Sequence, residues 1–345
     1  MIVEYNKLKE MTYKLLMSGG MNEENAGILA EILVTAEARG VYSHGIQMTP
    51  TYVRLMEEGV VTANPDIKIV EESDSALVID GDHGLGGIVM SKALDLLVAK
   101  SRKTGAATLT VRNSGHYGAG AYYVEKAAEM GQAAFLYANT SKSAVPFGGT
   151  GRYLGTNPYS FSVPAGKYGT VTLDMATTET AAGKLGTAAR EGRQVPLGCG
   201  VDKDGNPTTD PVAITNGGAL CHFGGVKGYG IAFMINVMAG VLAGADYKPD
   251  EIDLFGRTKA HPTVGFFMSI TDIGHFMPLD TFIERIEDSI SDIKSVKPAQ
   301  GFSEVCYPGE IENKKKKQAL AEGVNVHDVA YNTFIETLTS RGIAY

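Results

Sequence analysis

Two histidines in this 345-residue chain stand in short turns beside a serine, a setting that suits proton transfer. His116 closes Ser114-Gly115-His116, and His44 lies within Ser43-His44-Gly45. Imidazole has an ordinary pKa of about 6.5, so it can give or take a proton near neutral pH. A well-placed group of this kind contributes roughly 10² to 10⁴ in rate. None of the seven histidines is paired at HxH or HxxxH spacing, which argues against a histidine-built metal site, and no metal is expected. His83 reads as a turn residue, and His222, His261, His275 and His327 have no sequence neighbours that suggest chemistry.

The elements around these residues can be read from periodicity. Residues 106–111 form a strand-like run that gives way to the glycine-rich turn carrying His116. An amphipathic helix follows through 130, then a second strand over 133–138 and a polar loop containing VPFGG and LGTNP. A histidine at a strand end is well placed for chemistry, because the sheet fixes its backbone while the turn leaves its side chain free. His44 follows a helical hairpin over 5–17 and 22–39, broken at Ser18-Gly19-Gly20, with Asn22 as N-cap and Glu23 and Glu24 in the first turn. Pro50 starts a helix over 51–58.

Beyond Asn64-Pro65 the pattern becomes strand-like at 67–70 and 76–79, with a helix over 88–102 and a strand over 171–173. Asp204-Gly205 signals a hairpin turn. The longest apolar stretch, 229–244, is too short to span a membrane and contains Asn236, so it reads as a buried core helix. Residues 264–270 suit a central strand, and 278–294 and 325–341 suit amphipathic helices. These elements predict an α/β fold with a mixed central sheet covered by helices, plus a helical region from the two ends of the chain. The expected division is 1–72 helical, 73–300 α/β, and 301–345 returning to the helical region.

Composition narrows the function classes. The apolar content of 44% and charged content of 20% are ordinary for a globular protein. A formal charge of −8 argues against nucleic-acid or membrane-surface partners, and the basic run Lys314 to Lys317 reads as a solvated helix face. Cys199, Cys221 and Cys306 are far apart and form no CxxC, so they are expected to be reduced, partly buried thiols. The first 20 residues lack the basic head and apolar core of a signal peptide, and a cytoplasmic location is expected.

His116 in SGHYGAGAYY, followed by VPFGG and LGTNP, resembles the malate/L-lactate dehydrogenase family of NAD(P)-dependent oxidoreductases, which includes ureidoglycolate and diketogulonate reductases. ARGVYSHG, DMATT, DKDGNPTTDP, GGVKGYG and YPGE occur in that family's order, so the resemblance covers nearly the whole chain. It implies a nicotinamide-binding fold that is not Rossmann, and no convincing GxGxxG fingerprint is present. It also implies interconversion of a small 2-oxo acid and a 2-hydroxy acid by a homodimer, with the proton acceptor matching His116 in some members and His44 in others; both are expected to line one site, with His116 the favoured acceptor. NAD is the expected cofactor, with NADP possible.

The cofactor positions implied by the resemblance are Thr140, Asp174, Met175, Ala176, Lys227, Gly228, Pro308, Gly309 and Glu310. Each has chemistry to offer: a hydroxyl for phosphate or ribose at Thr140, a cation for diphosphate at Lys227, a carboxylate for ribose or adenine at Glu310. Asp174 could equally cap the segment after its strand. Ser43, Met48 and Tyr52 are the implied substrate contacts, and LGTNP and VPFGG read as structural turns.

One departure bears on the substrate. Family members commonly carry an arginine shortly after the SHG turn, whose guanidinium can hold a carboxylate through two hydrogen bonds. This chain has Gln47 and Met48 there, which suits a less acidic or bulkier substrate. The competing expectations are a cyclic imine carboxylate reductase and a ligand-binding protein that keeps the fold without turnover.

Overall fold

A computed structural model describes residues 1–257 and 260–345. The chain opens with β1 (Ile2–Val3), α1 (Tyr5–Ser18) and α2 (Glu23–Ala38). Asn22 caps α2, its side-chain oxygen accepting the Asn25 N–H at 2.9 Å. Two single 3₁₀ turns, Tyr42–His44 and Ile46–Met48, lead into α3 (Thr49–Glu57), with Pro50 in its first turn. The expected hairpin, cap and proline start are all present.

The α/β part follows in the order β2 (Lys68–Glu72), β3 (Ala76–Asp80), α4 (Gly86–Thr104), β4 (Ala106–Ser114), α5 (Ala121–Glu129), β5 (Gln132–Ala138), β6 (Tyr159–Pro164) and β7 (Thr170–Met175). A smaller unit then contains α6 (Ala182–Arg190), β8 (Gly200–Val201), β9 (Pro207–Thr208), α7 (Pro211–Thr215) and β10 (Ala219–Leu220). The chain continues through α8 (Val226–Asn236), β11 (Val264–Asp272), α9 (Leu279–Ser295), α10 (Glu310–Glu322), β12 (Val324–Asn325) and α11 (Asp328–Ser340).

The main sheet has seven strands in the order β2-β3-β4-β11-β5-β6-β7. Only β3 and β4 run parallel, joined by α4, the crossover that a parallel pair requires. Every other pairing is antiparallel, so the sheet is mixed and unlike the doubly wound parallel sheet of a Rossmann fold. The late strand β11 inserts between β4 and β5, pairing Phe266 with Val111 on one side and Ala138 on the other. A register shift between Val264 and Phe266 falls beside Ser114, where β4 turns towards His116.

One large core joins the sheet to the N-terminal helices. Leu8, Leu15, Leu29, Leu33, Leu109, Leu136, Phe266 and Ile270 are almost wholly removed from solvent and belong to the same cluster. Each such side chain contributes roughly 1.5–3 kcal/mol of apolar transfer energy. The C-terminal segment returns to this helical region: β12 pairs antiparallel with β1, and Phe334 and Leu338 of α11 enter the core. Gly86 seats the start of α4 against the His116 turn, since a Cβ there would lie 2.6 Å from the Gly115 carbonyl oxygen.

Residues 229–244 depart from expectation. They form the rest of α8 and a π-helical stretch, Val237–Leu242, and this segment is buried along one side only, through Ala232, Ile235, Ala239 and Ala243. Phe233, Met234, Val241 and Leu242 are exposed, because α8 packs one side on β5 and the π-helical stretch one side on β11, leaving the other side bare. Of the cysteines, Cys199 is buried, Cys221 half-buried and Cys306 exposed, all as free thiols. Among the described residues no helix is long and apolar enough to cross a membrane.

Candidate active site

The two histidine turns meet. The ring centroids of His44 and His116 are 5.3 Å apart with planes inclined by 28°. Together they line one side of a cavity of about 210 Å³. Ser43 and Met48 join them from the 3₁₀ turns, and Tyr117 and Gly118 from the turn after β4. Asn139 and Thr140 enter from the end of β5, Thr156 and Pro158 from the LGTNP loop, and Leu254, Phe255 and Phe266 form an apolar wall.

Tyr52 is not among the residues lining this cavity. Its side chain is fully buried on α3, behind the histidines, and its hydroxyl lies 2.5 Å from His116 Nδ1. Burial holds its phenol well above the ordinary range, so it stays protonated and can either donate to that nitrogen or accept from it. The Nε2 of His116 is then the nitrogen left for chemistry. Burial, and then the neighbouring His44, push His116 down to about 3, so it is neutral at physiological pH. His44 is lowered by burial against an opposing pull from Asp174, and its Nδ1 lies 2.8 Å from Ser43 Oγ.

Glu37 builds the floor under this turn. Its carboxylate is buried beneath Gly45 and accepts the Ile46 N–H at 3.0 Å. A Cβ at Gly45 would fall 1.9 Å from Glu37 Oε2, so only glycine admits this packing. The carboxyl is pushed up to about 7 by burial, partly offset by the Ile46 hydrogen bond.

The expected cofactor residues are dispersed. Thr140 lies in the cavity, its N–H donating to Asn157 Oδ1 at 3.1 Å and its hydroxyl 3.3 Å from that of Thr156. Asp174 caps α5 instead of the segment following its own strand: one oxygen accepts the Ala121 N–H at 3.0 Å and the other the Ser160 hydroxyl at 2.7 Å. Its charge still reaches His44. Met175, whose sulfur accepts the Tyr159 hydroxyl at 3.5 Å, and Ala176 continue from there, half-buried. Lys227 is exposed in the first turn of α8, next to buried Gly228 and after Gly225, which has a φ of +61°.

Pro308, Gly309 and Glu310 lie along β7, outside the cavity. The Pro308 carbonyl accepts the Thr172 N–H at 3.0 Å, and Gly309 has a φ of +86° where a Cβ would meet the Thr172 carbonyl. The Glu310 carboxylate is already engaged by Lys294 at 2.5 Å and Lys314 at 3.0 Å. Among the described residues one group of three potential metal ligands stands together, Glu304, Cys306 and Glu310, and both of its carboxylates are paired with lysines.

Several residues escaped sequence reading. Thr156 and Asn157 lie in LGTNP, which is more than a turn: Asn157 bridges the Thr140 N–H and the Ala232 carbonyl, tying the loop to α8. Leu254 and Phe255 carry no motif at all. His83 and His261, without sequence company, stack at 4.6 Å in space, their Nδ1 atoms bonded to the carbonyls of Pro262 and Val60.

The chain is similar to known proteins along nearly its whole length. Residues 3–334 match the family model described as malate/L-lactate dehydrogenase. The L-sulfolactate dehydrogenase of Methanocaldococcus jannaschii is 36% identical over 347 residues, covering 99% of this chain and 98% of its own. A solved structure of sulfolactate dehydrogenase from that organism superposes with a TM-score of 0.91, covering 99% and 98% of the two chains. The ureidoglycolate dehydrogenase (NAD(+)) of Escherichia coli O157:H7 is 30% identical, covering 98% of both. The solved delta1-piperideine-2-carboxylate reductase from Pseudomonas syringae superposes with a TM-score of 0.88 at 30% identity, covering 98% and 99% of the two chains. With its mixed, non-Rossmann sheet and a match from residue 3 to residue 334, this chain belongs to the malate/L-lactate dehydrogenase family.

Proposed function

We propose that the protein is an NAD(P)-dependent oxidoreductase that interconverts a 2-oxo acid and its 2-hydroxy acid, with His116 exchanging the proton at the oxygen. The observation that carries this reading is the placement of His116, bonded through Nδ1 to the buried Tyr52 hydroxyl and lining the cavity beside His44. The site suits a nicotinamide nucleotide: hydroxyls of Thr140 and Thr156 lie in the cavity, and the start of α8 offers a glycine of positive φ, Gly225, and the exposed cation of Lys227 for a diphosphate. The bound nicotinamide supplies or takes the hydride at the substrate carbon.

The protein's own groups handle the proton. In the oxidation direction His116 Nε2 accepts the hydroxyl proton while Nδ1–H donates to Tyr52, which holds the ring in the required tautomer. Reduction starts from the imidazolium, which the negative charge of an incoming carboxylate favours. Ser43 fixes His44 through their 2.8 Å contact, keeping the stacked pair in register. The apolar wall of Leu254, Phe255 and Phe266 keeps water from the reacting carbon.

A second reading, reduction of a cyclic imine carboxylate, is favoured by this wall together with Met48, which offer apolar surface to a ring. We also read the bare face of α8 and the π-helical turn as a homodimer interface. Phe233 is 44% exposed, Met234 56% and Leu242 58%, and contiguous apolar surface of this kind marks association.

Oxidation of NADH and of NADPH, followed by absorbance against a panel of 2-oxo acids and cyclic imine carboxylates, tests the proposal. Turnover of a 2-oxo acid supports it, with NADH expected to be the better donor. Turnover confined to the cyclic imines transfers the assignment to the second reading, and nucleotide binding without any turnover defeats both.

A further inference from the structure

An acidic substrate needs a cation, yet among the described residues no lysine or arginine lines the cavity, and Met48 joins the histidines in its lining. Nearby cations are already committed: Arg39 to Glu125, Arg54 to Glu58, Lys142 to Asp250. Among the described residues near the cavity wall, Arg257 is the exception. Its guanidinium carbon lies 5.4 Å from the centroid of the Phe255 ring, and it makes no ion pair among the described residues. Phe255 itself lines the cavity, with its ring 5.5 Å from that of His116.

The wall bearing this arginine is anchored. The Leu254 N–H donates to Ser141 Oγ at 2.9 Å, and the Phe255 N–H donates to Asp253 Oδ1 at 3.2 Å. The exposed guanidinium therefore stands one aromatic ring away from the proton-transferring histidine, stacked on a surface that orients its planar fork. That separation is too great for a carboxylate on the atom next to the reacting carbon. It suits an anionic group at the far end of a short substrate, while the nearer carboxylate has the hydroxyls of Ser43 and Thr140.

Resting on the 2-oxo acid reading above, we propose that Arg257 is the specificity-determining residue for the distal end of the substrate. It pairs with a second carboxylate or a sulfonate, so that the site prefers dianionic 2-oxo acids.

The test compares oxaloacetate with 2-oxobutyrate, which share a four-carbon chain and differ in the distal acid, in the native protein, Arg257→Ala and Arg257→Lys. Arg257→Ala is expected to lower kcat/KM for oxaloacetate about 10- to 100-fold, mainly through KM, as for loss of one charge-assisted hydrogen bond. With 2-oxobutyrate the change stays within about twofold, NADH binding followed by fluorescence is unaltered, and Arg257→Lys recovers part of the loss. Equal losses on both acids, or none on either, overturn the assignment. If the native protein binds NADH but turns over neither acid, the parent reading fails, and this one falls with it.

Discussion

Replacing Glu37 by Gln isolates the cost of burying a carboxyl group beneath the His44 turn. Glu37 is only 2% exposed, Oε2 accepts the Ile46 N–H, and Oε1 has no partner among the described residues. Its ordinary value of 4.5 is raised to about 7 in the folded protein. Between those two values the folded chain keeps a proton that the unfolded chain releases, so stability falls as pH rises through this window and is level above it. At 1.36 kcal/mol per unit the full loss is about 3 kcal/mol, most of it developing between pH 5 and pH 8. Glutamine keeps an oxygen for the Ile46 N–H and has no proton to lose. Thermal unfolding at the two pH values therefore should show the variant gaining on the native protein by about 2–3 kcal/mol more at pH 8 than at pH 5, a few degrees in Tm. A gain of the same size at both pH values would refute the idea that this carboxyl resists ionisation.

Tyr52→Phe removes the partner of His116 Nδ1 while leaving the buried ring. A drop in kcat of about 10- to 100-fold is expected, as for a lost buried hydrogen bond, with NADH affinity unchanged; unchanged kcat and an unchanged pH profile would show that the tyrosine only fills space. Met234→Asp places a charge on the bare face of α8. Light scattering after size exclusion should find the native protein dimeric and the variant monomeric at micromolar concentration, and a native monomer would remove the assembly reading.

Local features were legible in the sequence wherever they depend on neighbouring residues. The Asn22 cap, the Pro50 helix start and the strand-turn-helix around His116 follow from short-range chemistry. The mixed sheet was anticipated as a class, yet the insertion of β11 between β4 and β5 joins residues more than 120 positions apart, which periodicity does not report. β6 went unread because its YSFSV run mixes serine with aromatics.

The site shows the same division. His44 and His116 were recognisable by their turns, whereas Tyr52 was placed on the substrate because nothing local shows that its hydroxyl reaches a histidine 64 residues away. Glu310 looked free for a ribose until Lys294 folded against it. The stretch 229–244 looked like core all round because apolar composition does not report which side of a helix the fold covers. Phe255 and Arg257 had no motif, and only the packing of their segment on His116 brings them to notice.

The central claim is that His116 moves the proton in a nicotinamide-dependent reduction of a 2-oxo acid. The most direct measurement is the initial rate of NADH oxidation with saturating oxaloacetate, in the native protein and in His116→Ala, with NADH binding titrated by fluorescence in both. The prediction is turnover by the native protein, a fall of about 10² to 10⁴ in the variant, and retained nucleotide binding. A variant that binds NADH and turns over at the native rate would contradict it.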